Sequence, residues 1–330
     1  MADENDKLSE TELEAFLAEH PVTLPTFAYT FRGVDDEATR NAMAAAMSPL
    51  AAFMSRIVSL EGLDGITIAT DYRQALATLD RGVETTSTNE PTAEAFGTGV
   101  AMSNGVVRDG RMKTHVTFEA GIINCLIGED EGLRDLSAHT FMHELGHVAE
   151  HTLDHDRFGS AMLEPMADPY EFELYRLSHA CWSEYYASRV SAPWGEHAID
   201  GLRELLRGSV GQLVERASTA RSDIGILAGR RNDDAAMEII DQVSKMMKFA
   251  GYVIGHARGA DTDPVETGSA EDTMLEELGL RIWFDELAEK LDAIYEARDD
   301  WEALSVFHPL HRSFEIACLS FKLQLRRSDE

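Results

Sequence analysis

Thr140-Phe141-Met142-His143-Glu144-Leu145-Gly146-His147 is the stretch on which the reading of this chain turns. Phe141, Leu145, Val148 and Ala149 recur at the three-and-four spacing of a helix with one core-facing side. Positions 143 and 147 then lie one turn apart on the opposite face, so both imidazoles can reach one ion. Glu144 follows the first histidine directly. That sets it beside the ion rather than on it, where it can take a proton from a zinc-bound water. Gly146 is a poor helix former and suggests either a close neighbour or a tolerated glycine. With 12 histidines and abundant glutamate, His-Glu-x-x-His arises by chance in about one such chain in twenty-five, so the motif needs a third ligand.

Two continuations compete. One class of zinc proteases continues His-x-x-Gly-x-x-His from the second histidine; Glu150 and Leu153 occupy those places here, and the pattern fails. The other takes a glutamate from a following helix, and Trp182-Ser183-Glu184-Tyr185-Tyr186-Ala187-Ser188 supplies one. At these residues the chain resembles the gluzincin branch of the zincin metallopeptidases. The resemblance implies Glu184 as third zinc ligand and Ala187 as the small residue that lets two helices touch. Several gluzincins carry an Asp four residues after that Glu, orienting the first histidine. This chain has Ser188 there, whose hydroxyl can accept from an imidazole. The motif-level resemblance covers about 143 to 188, and a weaker topological one reaches back to about 35.

The element order agrees with it. Residues 22–31 look extended, 35–60 read as a long helix with a kink or break at Pro49, and 65–70 as a strand. A short helix over 71–80 and a polar loop over 81–96 follow. Two extended stretches, 97–107 and 112–126, flank Arg108-Asp109-Gly110-Arg111, a hairpin signal. Val116, Phe118 and Ala120 fall on one face of the second stretch and His115, Thr117 and Glu119 on the other. Helices are expected over 136–155 and 170–190, and beyond Ala192 over 198–217, 235–256, 272–298 and 314–325. Ser9 with Glu12 reads as a capping box opening a short first helix. An edge strand in this order would hold an extended peptide by main-chain hydrogen bonds, the usual device of a protease.

Other polar residues have competing readings. His151 and His155 continue the histidine stripe and are expected to be solvated rather than to bind a second metal. Cys181, one turn before Glu184, is expected to be a buried thiol. A donor for the developing oxyanion is required, and the candidates are Tyr185, Tyr186, Arg189, His179, His308 and His311. His308-Pro309-Leu310-His311 stands out because it precedes the last helix at a turn. Phosphate-binding loops, a serine nucleophile elbow, a dinucleotide turn and Cys-x-x-Cys pairs are missing from the sequence.

Composition sets the limits. Hydrophobic residues at 44% and charged residues at 27% fit a globular chain. The 29 Lys and Arg against 59 Asp and Glu give a formal charge of −30, which repels phosphate backbones and anionic lipid. Neither nucleic acid nor membrane is therefore an expected partner. The acidic start carries no export signal, and three cysteines far apart fit reduced thiols. A cytoplasmic protein is expected.

The expectation is thus an α+β fold: an N-terminal tail (1–19), a zincin-like core of small twisted sheet plus active-site helix (20–191), and a mainly helical C-terminal region (192–330). One Zn2+ per chain would sit on His143, His147 and Glu184, with Glu144 as general base cleaving a peptide or protein substrate. The alternative is a zincin-derived scaffold that binds or regulates without catalysis.

Overall fold

A computed structural model describes residues 10–84, 90–91, 93–94, 97–159, 161, 166–195, 197–226 and 233–325. The Ser9–Glu12 capping box lies outside the described residues. The fold is α+β, and the chain divides into two compact units: 1–90 with 100–153, and 91–99 with 154–330.

The first unit is built on a four-stranded mixed sheet of order β1-β2-β6-β5. Strands β1 (Ala28–Arg32), β2 (Leu63–Ala69) and β6 (Arg111–Glu119) run parallel, and β5 (Ala101–Arg108) returns antiparallel on β6. The expected Asp109-Gly110 hairpin is present, closing on the Arg108–Arg111 pair. Between β1 and β2 runs helix α2 (Glu37–Ile57), whose N-cap Asp36 accepts from the Thr39 amide at 2.7 Å. Pro49 does not break it. Met43, Met47, Ala51 and Met54 form a buried stripe on either side of the proline, and that burial outweighs the one backbone bond it removes.

β6 also ends earlier than alternation suggests. Glu119 accepts from the Ile122 amide at 3.2 Å and so caps the short helix α4 (Ala120–Asn124). Helix α3 (Tyr72–Ala77) follows β2, capped by Asp71. Helix α5 (Glu131–Phe158) then lays its apolar side on one face of the sheet. Phe118 of β6 stacks on Phe141 at 5.5 Å between centroids, and the Thr114 hydroxyl meets His151 Nδ1 at 2.9 Å. The other face is covered too, since Thr117 and Asn104 are buried. There His115 sits in a polar cluster: Nδ1 is 3.0 Å from Asp64, which Arg108 also grips, and Nε2 is 2.9 Å from the Thr67 hydroxyl.

The second unit is helical apart from a two-stranded ribbon, β3 (Ala93–Glu94) and β4 (Gly97–Thr98). It takes the last turn of α5 and the helices α6 (Pro169–Ser191), α7 (Ala198–Ile226), α8 (Asp233–Gly259), α9 (Ala270–Glu277), α10 (Arg281–Glu296) and α11 (His308–Ser320). Asp168 caps α6 and Pro169 opens it, which suits proline because its missing N–H has no intrahelical partner there. The single helix expected over 272–298 is two. Gly279 takes a left-handed φ of +68°, and the Leu280 amide bonds back to the Leu275 carbonyl at 2.8 Å, a Schellman stop.

Gly251, Gly255 and Gly259 form the contact line of α8 on α6. A Cβ at these positions would fall 2.3, 2.2 and 2.1 Å from the carbonyl oxygens of Cys181, Tyr185 and Arg189. Glycine at every fourth residue thus brings the two backbones together and fixes α6 along its length. Behind it lies an aromatic core of Trp182, Tyr295, Trp301 and Phe307. No helix among the described residues is long and apolar enough to cross a membrane.

Candidate metal centre

His143, Glu144 and His147 belong to the first unit and Glu184 to the second. On α5 the two histidines stand one turn apart, buried, with ring centroids 4.8 Å apart and planes nearly perpendicular. The apolar back of the helix is as the spacing required: Phe141, Leu145, Val148 and Ala149 are buried.

Glu144 is held from the sheet. The Ser103 hydroxyl of edge strand β5 lies 2.8 Å from its Oε2 and 3.1 Å from its backbone carbonyl. Among the described residues β5 pairs within its sheet with β6, and Arg81 meets its Gly105–Val107 end through a 2.8 Å bond from Val107 N–H and a 3.1 Å bond to the Gly105 carbonyl. Tyr72, from the first turn of α3, faces the same carboxylate. Burial first, and then the Glu144 charge, push its phenol well above the usual tyrosine range. Its buried hydroxyl makes no hydrogen bond among the described residues.

Glu184 is buried on α6 and pairs with Lys248 of α8 at 3.0 Å. Ser188 is buried, and its hydroxyl has no hydrogen-bond partner among the described residues. Cys181 is a buried thiol, as expected; it lies against Gly251, and burial raises its pKa.

The stripe beyond the motif is partly solvated, since His151 and His155 are both half-buried. His151 is tied to Thr114 and lies 3.4 Å from Glu150. Most oxyanion candidates have other work. Tyr185 donates to Asp292 at 2.7 Å, in a network that Arg189 and Arg258 complete. Tyr186 sits among Trp182 and Tyr295, and His179 pairs with Asp154 at 3.2 Å. His308 and His311 stand in the first turn of α11 rather than on a turn before it, with Glu171 of α6 as neighbour.

No protein-family model, curated protein or solved structure matches this chain. Its function therefore rests on its own residues. Several groups of His with Glu or Asp among the described residues could hold a metal ion, and a donor set of two imidazoles and a carboxylate suits zinc.

Sequence reasoning missed Ser103, Tyr72 and Lys248. Only Lys248 left a signal, as a charge inside the apolar run Met246-Met247-Lys248-Phe249-Ala250. Ser103 and Tyr72 gain their meaning only when the sheet meets α5.

Proposed function

We propose that this chain is a zinc-dependent hydrolase of peptide bonds, with His143, His147 and Glu184 as ligands and Glu144 as general base. The observation that carries the reading is the Ser103–Glu144 contact, which ties the carboxylate beside His143 to the edge strand of the sheet. A base anchored there faces the place where an extended peptide would add to β5 by main-chain hydrogen bonds. Support for Glu184 comes from its burial as a carboxylate and from its Glu-x-x-Ala setting on the helix that follows α5 in the chain.

Zinc, when bound, would polarise the scissile carbonyl and acidify the attacking water. Glu144 would take that water's proton and pass it to the leaving amine. Ser103 would keep the carboxylate aimed while it does so, and the Tyr72 hydroxyl, kept protonated by burial, is available as a donor on the same side.

The ion pair with Lys248 favours a second reading, a scaffold without catalysis, because the lysine already supplies positive charge to Glu184. Zinc per chain, measured after purification without chelator, separates the two. The hydrolase reading expects about one zinc at this centre, lost in His143→Ala and in Glu184→Ala, and a Glu144→Gln protein that keeps zinc but no longer cleaves a peptide mixture. Full cleavage by Glu144→Gln would refute the mechanism. Failure of the native chain to bind zinc through His143 would leave the scaffold.

A further inference from the structure

We propose a second site for a divalent transition-metal ion, formed by Glu171, His308 and His311 inside the helical unit. Glu171 stands in the first turn of α6, and His308 and His311 in the first turn of α11. One ligand atom from each lies within 4.8 Å of the others, a spacing that small side-chain rotations close onto an ion at about 2.0–2.2 Å from each donor. The site does not depend on the proposed hydrolase centre, with which it shares no residue.

The state of His311 is the second observation. Its side chain is more than nine-tenths buried, and neither ring nitrogen makes a hydrogen bond among the described residues. Its Nδ1 lies 3.4 Å from Glu171 Oε2, an ion-pair distance without the alignment of a hydrogen bond. A buried imidazole placed only for packing would be expected to donate to a carbonyl or carboxylate at ordinary length. Instead a second imidazole, His308, stands 5.1 Å away between centroids. Two imidazoles converging on one carboxylate repel each other if both are protonated; a cation between them satisfies all three.

The carboxylate of Glu171 lies within reach of both imidazoles. The next carboxylate along, Glu315 of α11, accepts from the Tyr170 hydroxyl at 2.8 Å and pairs with Arg312 at 3.3 Å. Two nitrogens and one oxygen suit Zn2+ and its borderline neighbours rather than Ca2+ or Mg2+, which prefer oxygen throughout. His308 is exposed, so water can complete the coordination. The bound ion would clip the first turns of α6 and α11 together.

The test uses the full chain carrying His143→Ala and His147→Ala, stripped of metal and titrated with Zn2+ alone against a chromophoric chelator. The expected result is uptake of about one Zn2+, weakened more than about 100-fold by a further His308→Ala or Glu171→Gln. Co2+ in the same background should give the visible absorption of a low-coordinate site, lost in those variants. His308 is exposed, so its removal leaves no cavity, and a far-UV spectrum and melting curve equal to the parent's confirm the fold. No uptake in the double-alanine background, or uptake that His308→Ala and Glu171→Gln leave unchanged, overturns the site. Loss of zinc in His143→Ala alone bears on the other centre, so the two ideas fail separately.

Discussion

Replacing Gly255 with alanine tests the contact that positions α6. The new methyl would fall 2.2 Å from the Tyr185 carbonyl oxygen and 2.8 Å from its Cα. Ordinary contact begins near about 3.4 Å, so the two helices must part by roughly 1 Å, and both obstacles are backbone that cannot rotate away. Overpacking of this kind costs about 1–3 kcal/mol, and two rigid backbones put it at the upper end. Alanine returns about 1 kcal/mol of helix propensity. The net expectation is a loss of about 2 kcal/mol, or a melting temperature lower by roughly 4–8 °C for a unit of this size. Gly211 of α7 is the control, because nothing lies within 4 Å of a Cβ built there. Gly211→Ala should raise stability by up to about 1 kcal/mol. Thermal and urea unfolding of both variants, stripped of metal, give the comparison. A Gly255→Ala protein as stable as Gly211→Ala would refute the close approach of α6 and α8.

Two further outcomes follow from the first unit. Ser103→Ala should lower the turnover number of peptide hydrolysis about tenfold with KM little changed, since it frees a carboxylate worth about 1–2 kcal/mol of positioning; an unchanged turnover number removes Ser103 from the mechanism. His115 should make stability depend on pH. Burial chiefly, then Arg108 and Arg32, hold it below its usual value of 6.5, with Asp64 opposing, so the unfolded chain binds its proton more readily. Its contribution is complete above about pH 6.5 and is lost as pH falls from there through the lower folded value. Urea unfolding at pH 7.5 and 5.5 should show a smaller difference in His115→Gln than in the native chain, and equal differences would contradict the assignment.

What the sequence revealed of this fold was whatever depends on neighbours along the chain. The helix of His143 and His147, the Asp109-Gly110 hairpin and the α+β class follow from spacing and turn chemistry, which are local. Pro49 misled because its penalty is local, whereas the methionine stripe that overrides it is tertiary. Gly279 was passed over because the apolar period continues across it, and only the return of Leu280 to Leu275 marks the stop. In the candidate site, Ser103 lies forty-one residues from Glu144, and no periodicity links an edge strand to a particular carboxylate. His308 and His311 drew notice as a pair, but their partner Glu171 lies on another helix, so their joint chemistry was not legible.

Lys248 decides how Glu184 should be understood, because an ammonium and a divalent ion compete for the same buried carboxylate. If Glu184 is a ligand, the lysine at 3.0 Å steadies it when metal is absent, and binding must offset that ion pair. Lys248→Met removes the competitor and leaves the metal-free form with a buried carboxylate short of one positive neighbour. The stripped variant should then be less stable than the stripped native chain by about 1–3 kcal/mol, the range for breaking a partly exposed pair around a buried acid. Zinc should restore more of that loss than it adds to the native protein. Its stabilising increment, read as the shift in melting temperature at fixed free zinc, is therefore larger in the variant. If Glu184 is only a salt-bridged acid of a scaffold, zinc has no differential hold on it, and the variant is destabilised equally with and without metal. Measuring both proteins in the His308→Ala background excludes the second site from the comparison. An increment no larger in Lys248→Met than in the native chain would remove Glu184 from the ligand set, and with it the hydrolase reading in its present form.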